Sequence, residues 1–472
     1  MSNHSSVIGF LLVAAGMMAL SPVAALAATP KPPVLKVTGG RAVLGSGLQV
    51  VEVLPDVPVS PQARNLFSTP TGLCGDKLVV ASVEEGSRFA NRLTTVVRLG
   101  AQEENRSWRW RRIVLEERTL PDITHTQPSV GIDSRQHVHV AYNMHNMPWQ
   151  YVRSRTPCSI DDFEFRGTAL TDADLHTAFE ENRSPWSQAG SAAIPGNQIT
   201  YPAFFNDRSG DLYVTYRFAV RPARPWLERA FGGGIARFDA GSQQWSPVGG
   251  DVPLSSRDAQ PAPADTTAHP FAWEPGWTVY FPRLWFDRNN AMYVTWMWRE
   301  QQAGVETKHP SFAMRPDSQA PFRRADGSPY ELPIRLSATG EIDAFGPEHV
   351  FHAGTSITTD ERGAPLVVLE SADDTPRTLV TYDSKRKRWQ VAEPTPSGAP
   401  WVVCEDDGTC WAYATGPRIF RRKKPATRWQ LVYEQNGYCD PKPLHVLGAH
   451  RRFLHVTRCD WRTSRVLELV DR

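Results

Sequence analysis

One unit recurs through this chain: a tight turn followed at once by a short, mostly apolar strand. Gly75-Asp76-Lys77 leads into Leu78–Ala81, Asp133-Ser134-Arg135-Gln136 into His137–Val140, and Asp207–Asp211 into Leu212–Arg217. Asp287–Asn290 leads into Met292–Trp296, Asp360–Gly363 into Pro365–Val368, Asp406–Gly408 into Cys410–Tyr413, and Gly448–His450 into Phe453–Val456. These are about seven copies at uneven spacing, so the loops vary while the unit is kept. Between them lie short Trp-centred strands at Trp108-Arg109-Trp110, Trp245-Ser246, Trp389-Gln390-Val391 and Trp429-Gln430-Leu431. Helical periodicity is scarce, and Asp172 to Glu181 is the one stretch that reads as helix. Strands such as Leu212–Tyr216 are apolar or aromatic on both faces, as expected where both faces pack on neighbours. The pattern predicts an all-β chain, a seven-bladed β-propeller of four-stranded antiparallel blades. A β-sandwich would not explain so many copies.

The N-terminus reads as a targeting segment. Val7 to Leu20 is a short apolar run, and Ala25-Leu26-Ala27 is a small-x-small cleavage signal. This predicts a signal peptide over 1–27, a Pro-rich lead-in over 28–60 and a propeller catalytic domain over 61–472. An uncleaved anchor is the alternative reading of 1–27. No other stretch could span a bilayer, so no membrane span is expected after cleavage. Six cysteines follow, an even count that suggests disulfides in a periplasmic or secreted protein. Cys404 with Cys410 could bridge a hairpin and Cys439 with Cys459 could join neighbouring strands, but spacing does not fix the connectivity. A net charge of +2 gives no whole-molecule field for nucleic acid. Arg dominates the cations and suits bidentate recognition of carboxylate or sulfate. Long inserts at Cys158 to Asn197, Ala219 to Gly234 and Glu300 to Leu336 are expected to build a binding rim.

Four patches could carry chemistry: Thr124–Pro128 with His125, Tyr142–Asn146 with Asn143, His145 and Asn146, Thr200–Pro202 with Tyr216-Arg217, and Trp277–Arg283 with Trp296–Arg299. From His125 to Arg299 the chain resembles the BNR repeat-containing family of seven-bladed propellers, which includes ulvan lyases and related uronate-cleaving polysaccharide lyases. The spacings His125 to His145 and Tyr201 to Arg217 are similar to those of the lyase active site, and Tyr280 is a fifth candidate. The resemblance implies β-elimination on a 4-linked uronate in a rhamnose-uronate glycan of the ulvan type.

The chemistry of the residues agrees. Removing the C5 proton of a uronate requires its carboxylate to be neutralised, which an Arg fork does well. A base takes the proton and an acid protonates the departing O4; His and Tyr serve for both. We therefore expect Arg217 to neutralise the carboxylate with help from His145, His125 and Tyr201 to share the base and acid roles, and Tyr280 to orient the sugar. Asn143, Asn146, Arg283 and Arg299 are expected to bind substrate. No metal or cofactor is required, although the Asp-rich turns leave room for a structural calcium. His137 and His139 point the same way from one strand and invite a zinc reading, but no third ligand is in register. Arg418 to Lys424 reads as a solvated turn. Gly232–Gly234 lacks the strand-to-helix context of a phosphate loop. The expected partner is an acidic polysaccharide, bound by a monomer. A non-catalytic carbohydrate-binding propeller is the alternative. A sialidase-like hydrolase ranks last, because no unit matches the Ser-x-Asp-x-Gly-x-x-Trp box fully.

Overall fold

The structure is a computed structural model that describes residues 41–42, 47–62, 67–85, 92–120, 123–169, 171, 190–221, 230–253, 267–300, 307–345, 349–351, 356–372 and 376–471. The expected signal peptide, the start of the lead-in, the expected helix 172–181 and parts of the three long inserts lie outside these residues. Among the described residues all regular structure is β, apart from three short 3-10 turns.

The turn units have one physical cause. In four of them the Asp Oδ1 accepts two backbone N–H groups, two and four residues on. Asp133 takes Arg135 and His137, both at 2.9 Å. Asp207 takes Ser209 and Asp211, Asp287 takes Asn289 and Ala291, and Asp360 takes Arg362 and Ala364, all at 2.8–2.9 Å. The third residue after each Asp is left-handed: Gln136, Gly210, Asn290 and Gly363 all have φ between 64 and 85°. Short side chains that bond their own backbone fix such turns locally.

Each of the recurring turns joins the first two strands of an antiparallel meander. Thr71–Cys74, Lys77–Glu85, Arg92–Gln102 and Trp108–Thr119 pair in order. Ser129–Ile132, Val138–Ala141, Tyr151–Ser154 and Phe163–Phe165 repeat the order. So do Ile199–Asn206, Leu212–Arg221, Ala230–Asp239 and Gln244–Pro247. Trp277–Phe286, Met292–Glu300 and Lys308–Arg315 follow, with Arg323 bridging Met314 at the edge. Ser356–Thr359 to Arg388–Pro394 is the next. Trp401–Cys404, Cys410–Ala414 and Gly416–Arg422 pair onward to Gln430–Val446. That long strand also opens a last meander with Arg451–Arg458 and Thr463–Asp471. The Trp-centred segments at 108, 245 and 389 fall in outermost strands.

The first strands stand side by side. Thr71–Cys74 contacts Ser129–Ile132, which contacts Ile199–Asn206, then in turn Trp277–Phe286, Ser356–Thr359, Trp401–Cys404 and Gln430–Val446, which returns to Thr71–Cys74. Polar side chains pin neighbouring meanders: Ser129 Oγ donates to the Pro202 carbonyl at 2.6 Å, and Thr215 Oγ1, from a second strand, to the Pro282 carbonyl at 2.9 Å. Between meanders the sheet faces bury Trp149, Trp245, Trp296, Trp298 and Trp411. The Gly232–Gly234 run is part of this packing. A Cβ at Gly234 would lie 2.3 Å from the Tyr216 ring, and one at Gly233 2.5 Å from Phe271.

One segment differs from its sequence reading. Leu48–Pro58, read as lead-in, pairs antiparallel with the C-terminal strand Thr463–Asp471 and completes the last meander. The reason is that Leu48, Val50, Val53 and Leu54 are apolar and find cover there. The disulfides are Cys74–Cys158, Cys404–Cys410 and Cys439–Cys459.

His139 serves the interior. Its Nε2 lies 3.1 Å from Asp133 Oδ2, and Tyr151 O–H donates to its Nδ1 at 2.5 Å. Arg153 donates to the same Asp133 oxygen at 3.1 Å. Burial opposes the Asp133 charge, but the His139 ring, the His137 N–H and Arg153 hold its carboxyl well below the usual carboxylate range. Burial pushes the His139 ring down to about 4. His455, buried with neither ring nitrogen hydrogen-bonded, is pushed down to about 3 by burial and then by Lys442.

Two outcomes are expected. A chain starting at Ser60 loses the closing strand and four buried apolar side chains, worth about 1.5–3 kcal/mol each. That rivals a whole domain's stability of about 5–15 kcal/mol, so the truncated chain should show no cooperative thermal transition by circular dichroism. The second concerns pH. Folded-state pKa values below that of free histidine mean that the unfolded chain takes up protons first. The contribution of His139 and His455 is whole above pH 6.5 and drains away as pH falls through 4 and 3. The loss is on the order of 1.4 kcal/mol per pH unit for each ring. Urea melts at stepped pH should show this slope, and His455→Leu should flatten part of it.

Candidate active site

The site is built at the other end of the first strands, away from the Asp turns. Four successive meanders place a ring-bearing residue shortly before a proline at that end: Phe67 before Pro70, His125 before Pro128, Tyr201 before Pro202, and Phe281 before Pro282. His125, Tyr201 and Phe281 are left-handed, with φ of 59, 58 and 53°. Bulky side chains seldom adopt this conformation, and it costs on the order of 1–3 kcal/mol per residue. The ladder breaks register at the same places, between Thr200 and Ala203 and between Tyr280 and Arg283. Such bulges re-aim a side chain. The rings converge: Phe67 stacks on Phe281 with centroids 3.3 Å apart, and Tyr201 lies 5.3 Å from Phe67 and 5.0 Å from Phe281.

Two histidines join them. His125 and His145 are 4.8 Å apart, and Tyr201 is 5.8 Å from the first and 5.9 Å from the second. His145 arrives by pairing with Thr200, which on its other side faces Arg217. Thr200 Oγ1 accepts the Asn146 N–H at 2.7 Å and donates to Asn146 Oδ1 at 2.9 Å. Asn146 Oδ1 and Thr200 Oγ1 then accept from Arg217 Nη2 at 2.8 and 3.3 Å. The Arg217 guanidinium lies over Tyr201, Tyr280 and Phe231, at 5.0, 5.1 and 4.7 Å from the ring centres. Tyr280 accepts a hydrogen bond at its hydroxyl from Arg299 at 2.7 Å.

Arg217 is 5% exposed, and its Nε is buried with no hydrogen-bond partner. Among the described residues no carboxylate pairs with it; its hydrogen bonds go to an amide and a hydroxyl. A buried charge ordinarily needs a counter-charge. The two histidines are half-buried, so the cluster is open on their side.

Thus His125, His145, Tyr201, Arg217, Tyr280, Asn146 and Arg299 come together. Asn143 and Arg283 are placed differently. Asn143 is buried, accepts from Thr95 Oγ1 at 3.2 Å and donates to Glu116 at 2.8 Å. Arg283 is buried, donates to the Phe67 carbonyl at 2.8 Å, and lies over the Phe67 and Trp401 rings. Burial pushes it down to about 9 against the pull of Asp440. It meets the cluster through Phe67. The sequence reading assigned no role to Phe67 or Phe231 and held Phe281 only as a member of the Trp277–Arg283 patch; the ring-before-proline recurrence was the available signal for Phe67 and Phe281. Among the described residues no group of three or more His, Cys, Asp or Glu could hold a metal ion.

The fold has solved counterparts. The polysaccharide lyase Uly1 superposes with a TM-score of 0.59 at 11% identity, covering 89% of this chain and 100% of that one. A PL25 ulvan lyase gives 0.57 at 11% identity, over 89% and 95% of the two chains. A PL25 ulvan lyase bound to -[GlcA(1-4)Rha3S]- gives 0.55 at 11% over the same shares. At such identity the likeness is one of fold. Comparison with curated proteins finds no match. A family model described as BNR repeat-containing family member matches residues 89–397. By that match, over well more than half its length, the chain belongs to the BNR repeat-containing family.

Proposed function

We propose that this protein is a polysaccharide lyase that cleaves a 4-linked glucuronate next to rhamnose by β-elimination. The observation that carries the reading is Arg217: a buried guanidinium that pairs with no carboxylate among the described residues and lies over Tyr201 and Tyr280, the first of which packs beside His125 and His145. A uronate carboxylate would supply the missing counter-charge. The solved ulvan lyase bound to -[GlcA(1-4)Rha3S]- shares the fold and suggests the substrate class.

In the proposed reaction Arg217, with His145, neutralises the carboxylate so that charge can build on it as the C5–H bond breaks. His125 or Tyr201 takes the C5 proton. The electron pair forms the C4–C5 double bond and expels O4, which receives a proton from the other of the two. The products are a 4,5-unsaturated uronate and a new sugar end. Tyr280, fixed by Arg299, orients the ring, and Asn146 holds Arg217. These residues carry every proton of the reaction. We read the seven meanders as blades of a propeller, on the strength of their cyclic first-strand contacts and the closing strand Leu48–Pro58. Three disulfides fit a secreted or periplasmic protein, and we propose that it acts as a monomer on an acidic polysaccharide.

The test is a panel of uronate polysaccharides followed for ultraviolet-absorbing product. Wild type should generate it from a glucuronate–rhamnose glycan. His125→Ala and Tyr201→Phe should each lower kcat about 10²–10⁴-fold, and Arg217→Met about 10²–10³-fold, with wild-type melting curves. Glycan binding without unsaturated product would instead identify a carbohydrate-binding module; reducing ends without absorbance would identify a hydrolase.

A further inference from the structure

Lys442 comes from Gln430–Val446, the strand that links the last two meanders, far in sequence from every residue of the proposed site. It is 3% exposed. Its Nζ donates to Asp440 Oδ2 at 2.9 Å, to Gln127 Oε1 at 2.6 Å and to Ser68 Oγ at 3.3 Å. Among the described residues the ammonium thus has three acceptors, and it can donate to each. Burial lowers the pKa of Lys442 and Asp440 opposes the change.

The acceptors are informative. Asp440 supplies the charge partner and would satisfy a purely structural lysine. Gln127 and Ser68 belong to the loops that begin the second and first meanders. Gln127 is two residues from His125, and Ser68 follows Phe67, whose ring lies against Tyr201. His125 is held in a strained left-handed conformation, so something must over-determine its loop. A hydrogen bond from a buried cation is among the stronger available.

We infer that Lys442 is a positioning residue for the proposed reaction: through Gln127 and Ser68 it locks the loops that aim His125 and Phe67 at Tyr201. This rests on the lyase reading for its consequence, but the positioning has its own readout. Lys442 does not touch the reacting atoms; it sets where His125 stands.

The decisive variant is Gln127→Leu, which keeps the Lys442–Asp440 pair and removes the link to the His125 loop. Gln127→Glu restores an acceptor for Lys442. The imidazole proton resonances of His125, assigned by their loss in His125→Ala, carry ring-current shifts from Tyr201 and His145 in the native protein. In Gln127→Leu they should move toward those of an exposed histidine, and in Gln127→Glu they should stay near the native position. In the ultraviolet assay Gln127→Leu should lower kcat about ten- to hundred-fold, the scale of a misplaced catalytic group, with KM little changed. Lys442→Met should behave alike where it folds. Unchanged His125 resonances in Gln127→Leu, or equal shifts in the Leu and Glu variants, would overturn the inference whatever the assay gives. A wild-type protein that makes no unsaturated product would overturn the lyase reading and leave the resonance test standing.

Discussion

The carboxylate-capped turn is the constraint from which the rest of the structure follows. One Asp oxygen captures two backbone N–H groups within five residues, and a left-handed residue closes the loop. That fixes the register of the hairpin between the first two strands of a meander. With register fixed, each first strand has a defined far end. Equivalent strands run in the same sense, so those far ends gather together. The candidate site occupies that end, and the turns occupy the other.

Stacking sheets on both faces leaves little room for polar side chains, yet several are buried, and they recur as sets. Asp133, His139, Tyr151 and Arg153 form one network. Glu405, His445, Tyr413 and Arg452 form another, with an acid from a turn, a histidine accepting a tyrosine hydroxyl, and an arginine on the acid. In both cases burial lowers the histidine pKa, and the histidine and arginine beside the acid hold its carboxyl low. A fully satisfied network specifies one packing over its competitors; in the second set His445 Nδ1 lies 3.3 Å from Glu405 without a well-formed hydrogen bond. Both networks look like catalytic sets when read as residue types, and their enclosure is what marks them as structural. The site differs: His125, Tyr201 and Phe281 are left-handed, and among the described residues the buried Arg217 guanidinium meets rings, one amide and one hydroxyl and no acid.

The pairs His125 with His145 and Tyr201 with Arg217 were expected through the resemblance to the lyases, and each pair flanks one hairpin. Thr200 stands opposite both His145 and Arg217, so short-range pairing brings the two patches together. Asn143 and Asn146 illustrate the limit. Both are left-handed and three residues apart, and nothing local separates the one that meets Thr95 and Glu116 from the one that holds Arg217. Tyr280 and Arg283 differ for a related reason: the bulge between them turns Tyr280 toward Arg217 and Arg283 toward Phe67 and Trp401.

The amino-acid sequence by itself determined the turns, the strands that follow them, the Trp-marked outer strands and hence an all-β repeat architecture. Those depend on hydrogen bonds and side-chain alternation within a few residues. Tertiary structure alone decided the closures: Leu48–Pro58 on the C-terminal strand, Cys74 with Cys158 across 84 residues, and Lys442 on Gln127 across 315. Each joins chain segments whose meeting depends on every meander between them being in place. Contacts at that separation leave no local signature, because any exposed apolar strand, cysteine or lysine could have served until the ring of neighbours selected one.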